Sequence, residues 1–243
     1  ALSVLHKLGY KVTALLIDEG ISGYRKSTIQ DMERFCAQKR IAFRIVSFLD
    51  SFGFTLDEAL GLFPEKNPCT VCGILRRYLL NKAARGFDVL ATGHNLDDEA
   101  QAILMNLLKN NQEIARRIGP KTGIVADQKF VQRVKPLYFC TEKEDRIYAF
   151  LTGIEISFAE CLYVPASFRN TVREALTSFE QSYPETKEQV VRAFLNHKRS
   201  ISQSIPIFSG SVQHCVRCGE PAQGKICSAC SFAETYARKK LKK

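Results

Sequence analysis

Nine cysteines are the residues whose type and spacing bear most directly on chemistry in this chain. Cys215-Val216-Arg217-Cys218 and Cys227-Ser228-Ala229-Cys230 are two Cys-x-x-Cys pairs joined by a short loop containing Gly219, Pro221 and Gly224. Each pair presents two thiolates on a tight knuckle, and two knuckles complete the tetrahedral sulfur set of a structural zinc ion. The segment is too short to fold on a hydrophobic core of its own, so Zn2+ bound by Cys215, Cys218, Cys227 and Cys230 has to supply much of its stability. Redox-active or incidental thiols are the competing reading. A ribbon of this kind says little about activity, because it can dock RNA, a partner or the chain's own end.

A second pair lies in Pro68-Cys69-Thr70-Val71-Cys72-Gly73, at the start of a helical pattern that continues through Arg76, Arg77 and Tyr78. Free amide groups and the helix dipole at that end favour thiolates, so lowered thiol pKa values are expected there. On spacing alone the pair reads as half of a second zinc site, a redox pair or part of a cluster ligand set. Cys161, in Ala159-Glu160-Cys161-Leu162-Tyr163, is isolated and reads as a small buried hydrophobe, as do Cys36 within a helix and Cys140 at the end of an apparent strand.

Alternating strands and helices have to position these groups. Leu2 to Leu8 reads as the end of a helix, Val12 to Asp18 as a buried strand, Ser27 to Gln38 as an amphipathic helix and Phe43 to Phe48 as a second strand. Cys69 to Arg85 is helical and stops at Gly86, Phe87 to Thr92 is a third strand, and Leu96 to Lys109 is another helix. Such alternation implies a parallel sheet covered on both faces, with ligands bound beyond the carboxyl ends of its strands. Asp18-Glu19-Gly20-Ile21-Ser22-Gly23-Tyr24-Arg25 and Gly93-His94-Asn95-Leu96-Asp97-Asp98-Glu99 both fall at such ends. Further along, Gln132 to Phe139 can add an edge strand, followed by helices at Glu142 to Leu151, Phe168 to Phe179 and Lys187 to His197, and by a Ser-rich linker from Ser200 to Gly210.

Taken together, Ile17-Asp18-Glu19-Gly20-Ile21 with Gly23-Tyr24-Arg25, Cys69-x-x-Cys72-Gly73 with Arg76-Arg77, Thr92-Gly93-His94-Asn95-Leu96-Asp97-Asp98-Glu99, Cys161 and the terminal ribbon resemble the TtuA-type and cytosolic tRNA 2-thiouridine synthetases over nearly the whole chain. The resemblance implies an α/β, parallel-sheet PP-loop domain of the adenine-nucleotide alpha-hydrolase-like kind, with a helical C-terminal extension and a zinc ribbon. It divides the chain into a thiolation domain at 1–165, a helical extension and linker at 166–210, the ribbon at 211–233 and a basic tail at 234–243. It further implies an enzyme, a tRNA sulfurtransferase, that adenylates a uridine C2 oxygen with ATP and exchanges it for sulfide held on a 4Fe-4S cluster.

In that resemblance Cys69, Cys72 and Cys161 hold the cluster, with one iron left without a protein ligand. ATP is assigned to Ile17, Asp18, Arg76, Gly93, His94 and Asn95, and catalysis to Asp97, Asp98, Cys69 and Cys161. Arg76 or Arg77 would stabilise phosphate charge, while Asp97 or Asp98 would hold Mg2+ or orient the uridine. Gly93 would allow close backbone approach, and His94-Asn95 opens a helix whose N-terminus suits an anion. A ubiquitin-like sulfur carrier protein with a C-terminal thiocarboxylate and a homodimer are implied as partners. The family's phosphate loop, Ser-Gly-Gly-Lys-Asp-Ser, would immediately precede Ala1, and its N-terminal zinc finger would lie further upstream, so the sequence is expected to be N-terminally truncated, without the domain's first strand and phosphate loop.

Composition agrees with an RNA partner. The 35 Lys and Arg residues exceed the 25 Asp and Glu by ten, and a basic surface gains from releasing the counterions of phosphates. Basic residues gather at Arg116-Arg117, Arg169 with Arg173, Lys198-Arg199 and the terminal Arg238 to Lys243, where a solvated helix end is the plain alternative to an RNA-contacting arm. No segment reaches the roughly 18 apolar residues of a membrane span and the start lacks a signal peptide, so a cytoplasmic protein with no membrane contact is expected. Two other functions fit the same residues. One is cluster-free thiolation by a persulfide and disulfide relay through Cys69 and Cys161; the other is a non-catalytic zinc-ribbon RNA-binding protein.

Overall fold

A buried apolar run at Thr13–Asp18 becomes strand β1, preceded by helix α1 (Leu2–Lys7) and followed by α2 (Arg25–Lys39) and β2 (Ala42–Ser47). The protein is described from a computed structural model covering residues 1–115, 117–123, 127–155, 160–165, 167–204 and 212–242, the side chains of 199–204 excepted. β1 and β2 run parallel, in register from Thr13 against Ala42 to Asp18 against Ser47. Two short helices follow, α3 (Phe48–Phe52) and α4 (Leu56–Leu62). Asn67 and Pro68 then start α5 (Pro68–Ala83), with the Asn67 side chain accepting from the Thr70 N–H at 3.1 Å and proline at the first helical position, where no N–H is needed. At its other end Arg44 from β2 donates to the Ala83 carbonyl at 3.2 Å.

The third strand, expected at Phe87 to Thr92, is only β3 (Leu90–Ala91), because Phe87 and Val89 are exposed and lie outside its ladder. Helix α6 (Leu96–Leu108) begins in a capping box between Asn95 and Asp98. After α7 (Gln112–Ala115) come β4 (Lys121–Thr122) and β5 (Arg133–Val134). β5 is a central strand, parallel to β3 and antiparallel to β4, not the edge strand its sequence suggested. The α/β architecture with parallel pairing holds, but the described strands form separate small sheets, and β4 adds an antiparallel neighbour to β5.

Helices α8 (Glu142–Leu151), α9 (Phe168–Ser182) and α10 (Thr186–Ser204) complete the central part. α10 runs past His197 into the segment read as linker, since the first strong breaker is Pro206. Residues 205–210 of that linker, Arg116, Ala159, Lys243 and the side chain of Arg199 lie outside the described residues. The hairpin β6 (Gln213–His214) and β7 (Pro221–Ala222) then leads to α11 (Ser228–Lys240).

Two cores position the site. The larger joins α3, α4 and α5 to α11, where Tyr236 stacks on Phe54 with centroids 4.2 Å apart and Phe232 packs against Phe54 and Phe63. The expected basic tail therefore begins inside a helix whose Tyr236 is buried. The smaller core packs α6 between α9 and α10 around Leu96, Ile103, Val172, Leu176 and Val191. Among the described residues no helix is long and apolar enough to cross a membrane.

Candidate active site and metal centre

The carboxyl end of β1 turns sharply into a loop that reaches α2. Asp18 accepts the Gly20 N–H at 2.8 Å, and Gly20 takes φ +68 so closely against Thr55 that a Cβ would sit 2.6 Å from its side chain. Only glycine meets both conditions. Ile17 is buried beneath the loop, while Asp18, Gly20, Ile21, Ser22, Arg25 and Lys26 line an open cleft of about 420 Å³. Asp57 of α4 braces this loop by accepting the Ser22 N–H at 2.8 Å.

Between Asp18 and Gly20 stands Glu19, 1% exposed, with Arg25 on one carboxylate oxygen and the Nε of Arg76 on the other at 2.9 Å. A carboxylate buried this deeply requires such cations. Arg76 in turn donates from Nη2 to the Cys72 sulfur at 3.2 Å. One side chain therefore links the end of β1 to the thiol-bearing helix. Glu19 received no role of its own in the sequence; the signal was an acidic residue between a buried strand and a glycine.

Cys69 is exposed at the start of α5, Cys72 is buried one turn later, and Cys161 is half-buried against the same core. The Cys161 turn is tied down by Tyr163, whose hydroxyl donates to Asp57 at 2.7 Å, so one carboxylate braces both this turn and the β1 loop. The three sulfurs are close enough for Cys161 to raise the pKa of both Cys69 and Cys72. Cys161 is thus not the isolated core residue that its spacing suggested. The expected lowering of the Cys69 and Cys72 pKa values is overturned: burial pushes both thiols up, with Cys161 adding to it, and the opposing Arg76 charge does not prevail. Cys72 also lies beyond the first turn, where the helix dipole has faded.

At the end of β3, Gly93 leads into the α6 capping box. The Asn95 side chain accepts from the Asp98 N–H at 3.1 Å and Asp98 returns the bond to the Asn95 N–H at 3.2 Å. The other Asp98 oxygen accepts from Arg169 at 2.9 Å. Asp97 faces elsewhere: it is 6% exposed, ion-paired with Lys187 of α10, and accepts the Glu142 N–H at 2.7 Å. His94 bonds Thr92 at 2.9 Å, and its pKa is lowered by partial burial together with the positive charges of Lys135, Arg169 and Arg76, against Asp98. Glu99, for which a solvated helix face was the plain alternative, is 2% exposed and paired with Lys135 at 2.6 Å.

The sulfurs of Cys215, Cys218, Cys227 and Cys230 all lie within 4.8 Å of one another. A tetrahedron with zinc–sulfur bonds of 2.3 Å has an edge of about 3.8 Å, and Cys218 and Cys227 are 3.7 Å apart. Burial opposes ionisation of Cys215, yet backbone N–H donors at Cys227, Cys218 and Arg217 hold its thiol at about 6, while burial pushes Cys227 and Cys230 up. Four crowded sulfurs cannot all become thiolates without a cation between them, and the donor set fits zinc. Cys69, Cys72 and Cys161 do not form such a tight group. Three thiols, one of them the buried, hydrogen-bonded Cys72 sulfur, suit a larger inorganic cluster, which spreads its ligands further than one ion does. Magnesium fits the Asp97 and Asp98 carboxylates poorly, because Lys187, Arg169 and two backbone N–H groups already engage all four oxygens.

Fold and site together define an α/β protein in which a thiol-bearing helix lies beside strand ends and is buttressed by a four-cysteine ribbon. No family model matches the chain. It is 37% identical over 94% of its length to the tRNA-5-methyluridine(54) 2-sulfurtransferase of Pyrococcus horikoshii, covering 72% of that protein. It is 33% identical over 94% of its length to cytoplasmic tRNA 2-thiolation protein 1 of Candida glabrata, and spans 65% of that relative. The U34-tRNA thiolase NcsA from Methanococcus maripaludis, solved with its [4Fe-4S] cluster, matches 96% of the chain at a TM-score of 0.80 and 31% identity, over 76% of its own chain. The chain belongs to the tRNA 2-sulfurtransferase family, which includes cytoplasmic tRNA 2-thiolation protein 1.

Proposed function

We propose that this chain carries the sulfur-exchange centre of an ATP-dependent tRNA sulfurtransferase that replaces a uridine C2 oxygen with sulfur. The observation that carries this reading is Arg76, which is ion-paired to Glu19 at the end of β1 and hydrogen-bonded to the Cys72 sulfur. The same guanidinium can therefore meet negative charge as the uridine oxygen is adenylated, beside the thiols that deliver sulfur.

ATP binds over the ends of β1 and β3, with Ile17 and Asp18 on one side and Gly93, His94 and Asn95 on the other. Asp98, fixed by its capping box and by Arg169, orients the uridine at the edge of this cleft. Asp97 holds α6 to α8 and α10 and so acts on the site only through position. A 4Fe-4S cluster held by Cys69, Cys72 and Cys161 would supply the sulfur-binding iron, and the Arg76 N–H on the Cys72 sulfur would tune it. Cys215, Cys218, Cys227 and Cys230 hold zinc for stability. A ubiquitin-like carrier with a terminal thiocarboxylate donates the sulfur, the protein acts as a homodimer, and the reaction is cytoplasmic.

Anaerobic purification followed by iron, sulfide and zinc analysis and a thiolation assay tests this reading. About four iron and four sulfide per chain, lost in Cys161→Ala while zinc and the fold remain, is the expected result. Iron-free protein that still thiolates tRNA would replace the cluster with a persulfide relay through Cys69 and Cys161.

A further inference from the structure

Arg76 and Arg77 are neighbours on α5, but successive helical residues point about 100° apart. Arg76 turns to Glu19 and Cys72. Arg77 turns back along the helix to Gly73, where its guanidinium nitrogens lie 3.2 and 3.3 Å from the place a Cβ would occupy. Gly73 leaves the room that this guanidinium fills. From the central strand β5, Arg133 reaches the same face of α5 and donates to the Arg77 carbonyl at 3.3 Å.

These two guanidiniums differ from the others around the thiols. Arg25 and Arg76 share Glu19, Arg169 has Asp98, and Lys135 has Glu99. Among the described residues no carboxylate acts on either Arg77 or Arg133. Burial, followed by Arg76, lowers the Arg77 pKa against the opposing charge of Cys72, and burial followed by Arg77 lowers that of Arg133. Arg77 is exposed and Arg133 half-buried, neither is held by a described carboxylate, and the repulsion between two such neighbouring cations is one that a bound phosphate would relieve.

We propose that Arg77 and Arg133 form a phosphate subsite that grips a backbone phosphodiester of the tRNA beside the cysteine helix. This rests on the tRNA thiolation reading above. An RNA phosphate is favoured over a nucleotide phosphate because the cleft at Asp18, Gly20 and Arg25 lies on the Arg76 side of α5, and the pair faces the β5 side. A uridine presented to the thiols is thus held by its backbone on the β5 flank of α5, away from the cleft at the end of β1. The contact positions the RNA and reads no base.

The test measures tRNA binding against salt for the intact, iron- and zinc-loaded protein and for Arg77→Gln, Arg133→Gln and the two lysine variants, with ATP affinity and metal content followed in parallel. Each glutamine variant is expected to lower the slope of log K against log salt by about 0.9 and to weaken binding about eightfold at 0.1 M salt. ATP affinity and metal content stay unchanged, and the lysine variants keep most of the slope. An unchanged slope in both glutamine variants overturns the subsite, as does a loss of ATP affinity with tRNA binding intact, which would assign the pair to nucleotide phosphate. If the unaltered protein binds no tRNA, the thiolation reading fails first.

Discussion

At the scale of single residues, the site depends on carboxylates whose work is to hold cations. Glu19 is the most committed of these, since Arg25 and Arg76 both depend on it. Glu19→Gln leaves Arg25, only 13% exposed in its side chain, without its anion. Breaking a buried pair from one side costs about 3–5 kcal/mol, so the urea midpoint of this variant should fall sharply and Arg76 should lose its orientation on Cys72. An unchanged midpoint would mean that water already screens the pair. His94 offers a pH test. Its pKa is lowered below 6.5 on folding by burial first and then by Lys135, Arg169 and Arg76, so the unfolded chain takes up a proton before the folded one does. Its contribution to stability is complete above the unfolded value and is lost as pH falls through the folded one. His94→Gln should therefore flatten the decline in stability that sets in as the pH falls below the ordinary histidine range. Denaturation midpoints that fall equally steeply in the variant would rule out this assignment.

At the scale of elements, α5 connects two sulfur sites. Cys69 stands in its first turn and Cys72 just beyond it, and Tyr78, further along, has its hydroxyl pKa pushed up by burial and then by hydrogen bonding to Cys218 of the ribbon. Arg85, just past the helix, pairs with the buried Glu220 beside the same knuckle. α11 continues from the ribbon into the larger core through Phe232 and Tyr236. Zinc held by the four cysteines, as proposed above, would therefore support the cysteine helix as well as the ribbon. Removing zinc with a chelator, or replacing Cys218 with Ser, is expected to lower the melting temperature by several degrees, as loss of a few kcal/mol does in a domain of this size. Amide exchange in α5 should rise with it. Exchange confined to residues 212–230 would show that the ribbon is independent of the helix.

At the scale of the whole molecule, the chain carries a formal charge of +10, the excess of its 35 Lys and Arg over its 25 Asp and Glu, and many individual cations are tied up in pairs. Arg25, Arg76, Arg85, Arg169, Lys135 and Lys187 all neutralise buried or half-buried carboxylates. Affinity for RNA should therefore track a few unpaired positions more than the net charge. Exchanging the α11 residues Lys239 and Lys240 for Gln is expected to change tRNA affinity less than Arg77→Gln does, because Lys239 lies over the Phe63 ring and Lys240 over Tyr236. Filter binding at 0.1 M salt compares them. A larger loss from the α11 variant would return the terminal helix to the RNA-contacting role that its basic run first suggested.

Features that depend on near neighbours were legible in the sequence. The two Cys-x-x-Cys pairs of the ribbon, the opening of α5 at Pro68-Cys69 and that of α6 at His94-Asn95 are set by residues close together in sequence, and the alternation of buried strands with helices was enough to establish the α/β class. What needed the tertiary structure was anything set by surroundings drawn from distant segments. Spacing cannot distinguish Asp97 from Asp98, yet Lys187 of α10 claims one and Arg169 of α9 the other. It could not reveal that burial raises the Cys69 and Cys72 pKa values where a helix end promised to lower them, nor that Cys161 comes to their side through a turn held by Asp57. The separation of Arg76 from Arg77 likewise required knowing what stands on each side of α5. Charge and desolvation act through space, and only the folded chain decides which groups are near.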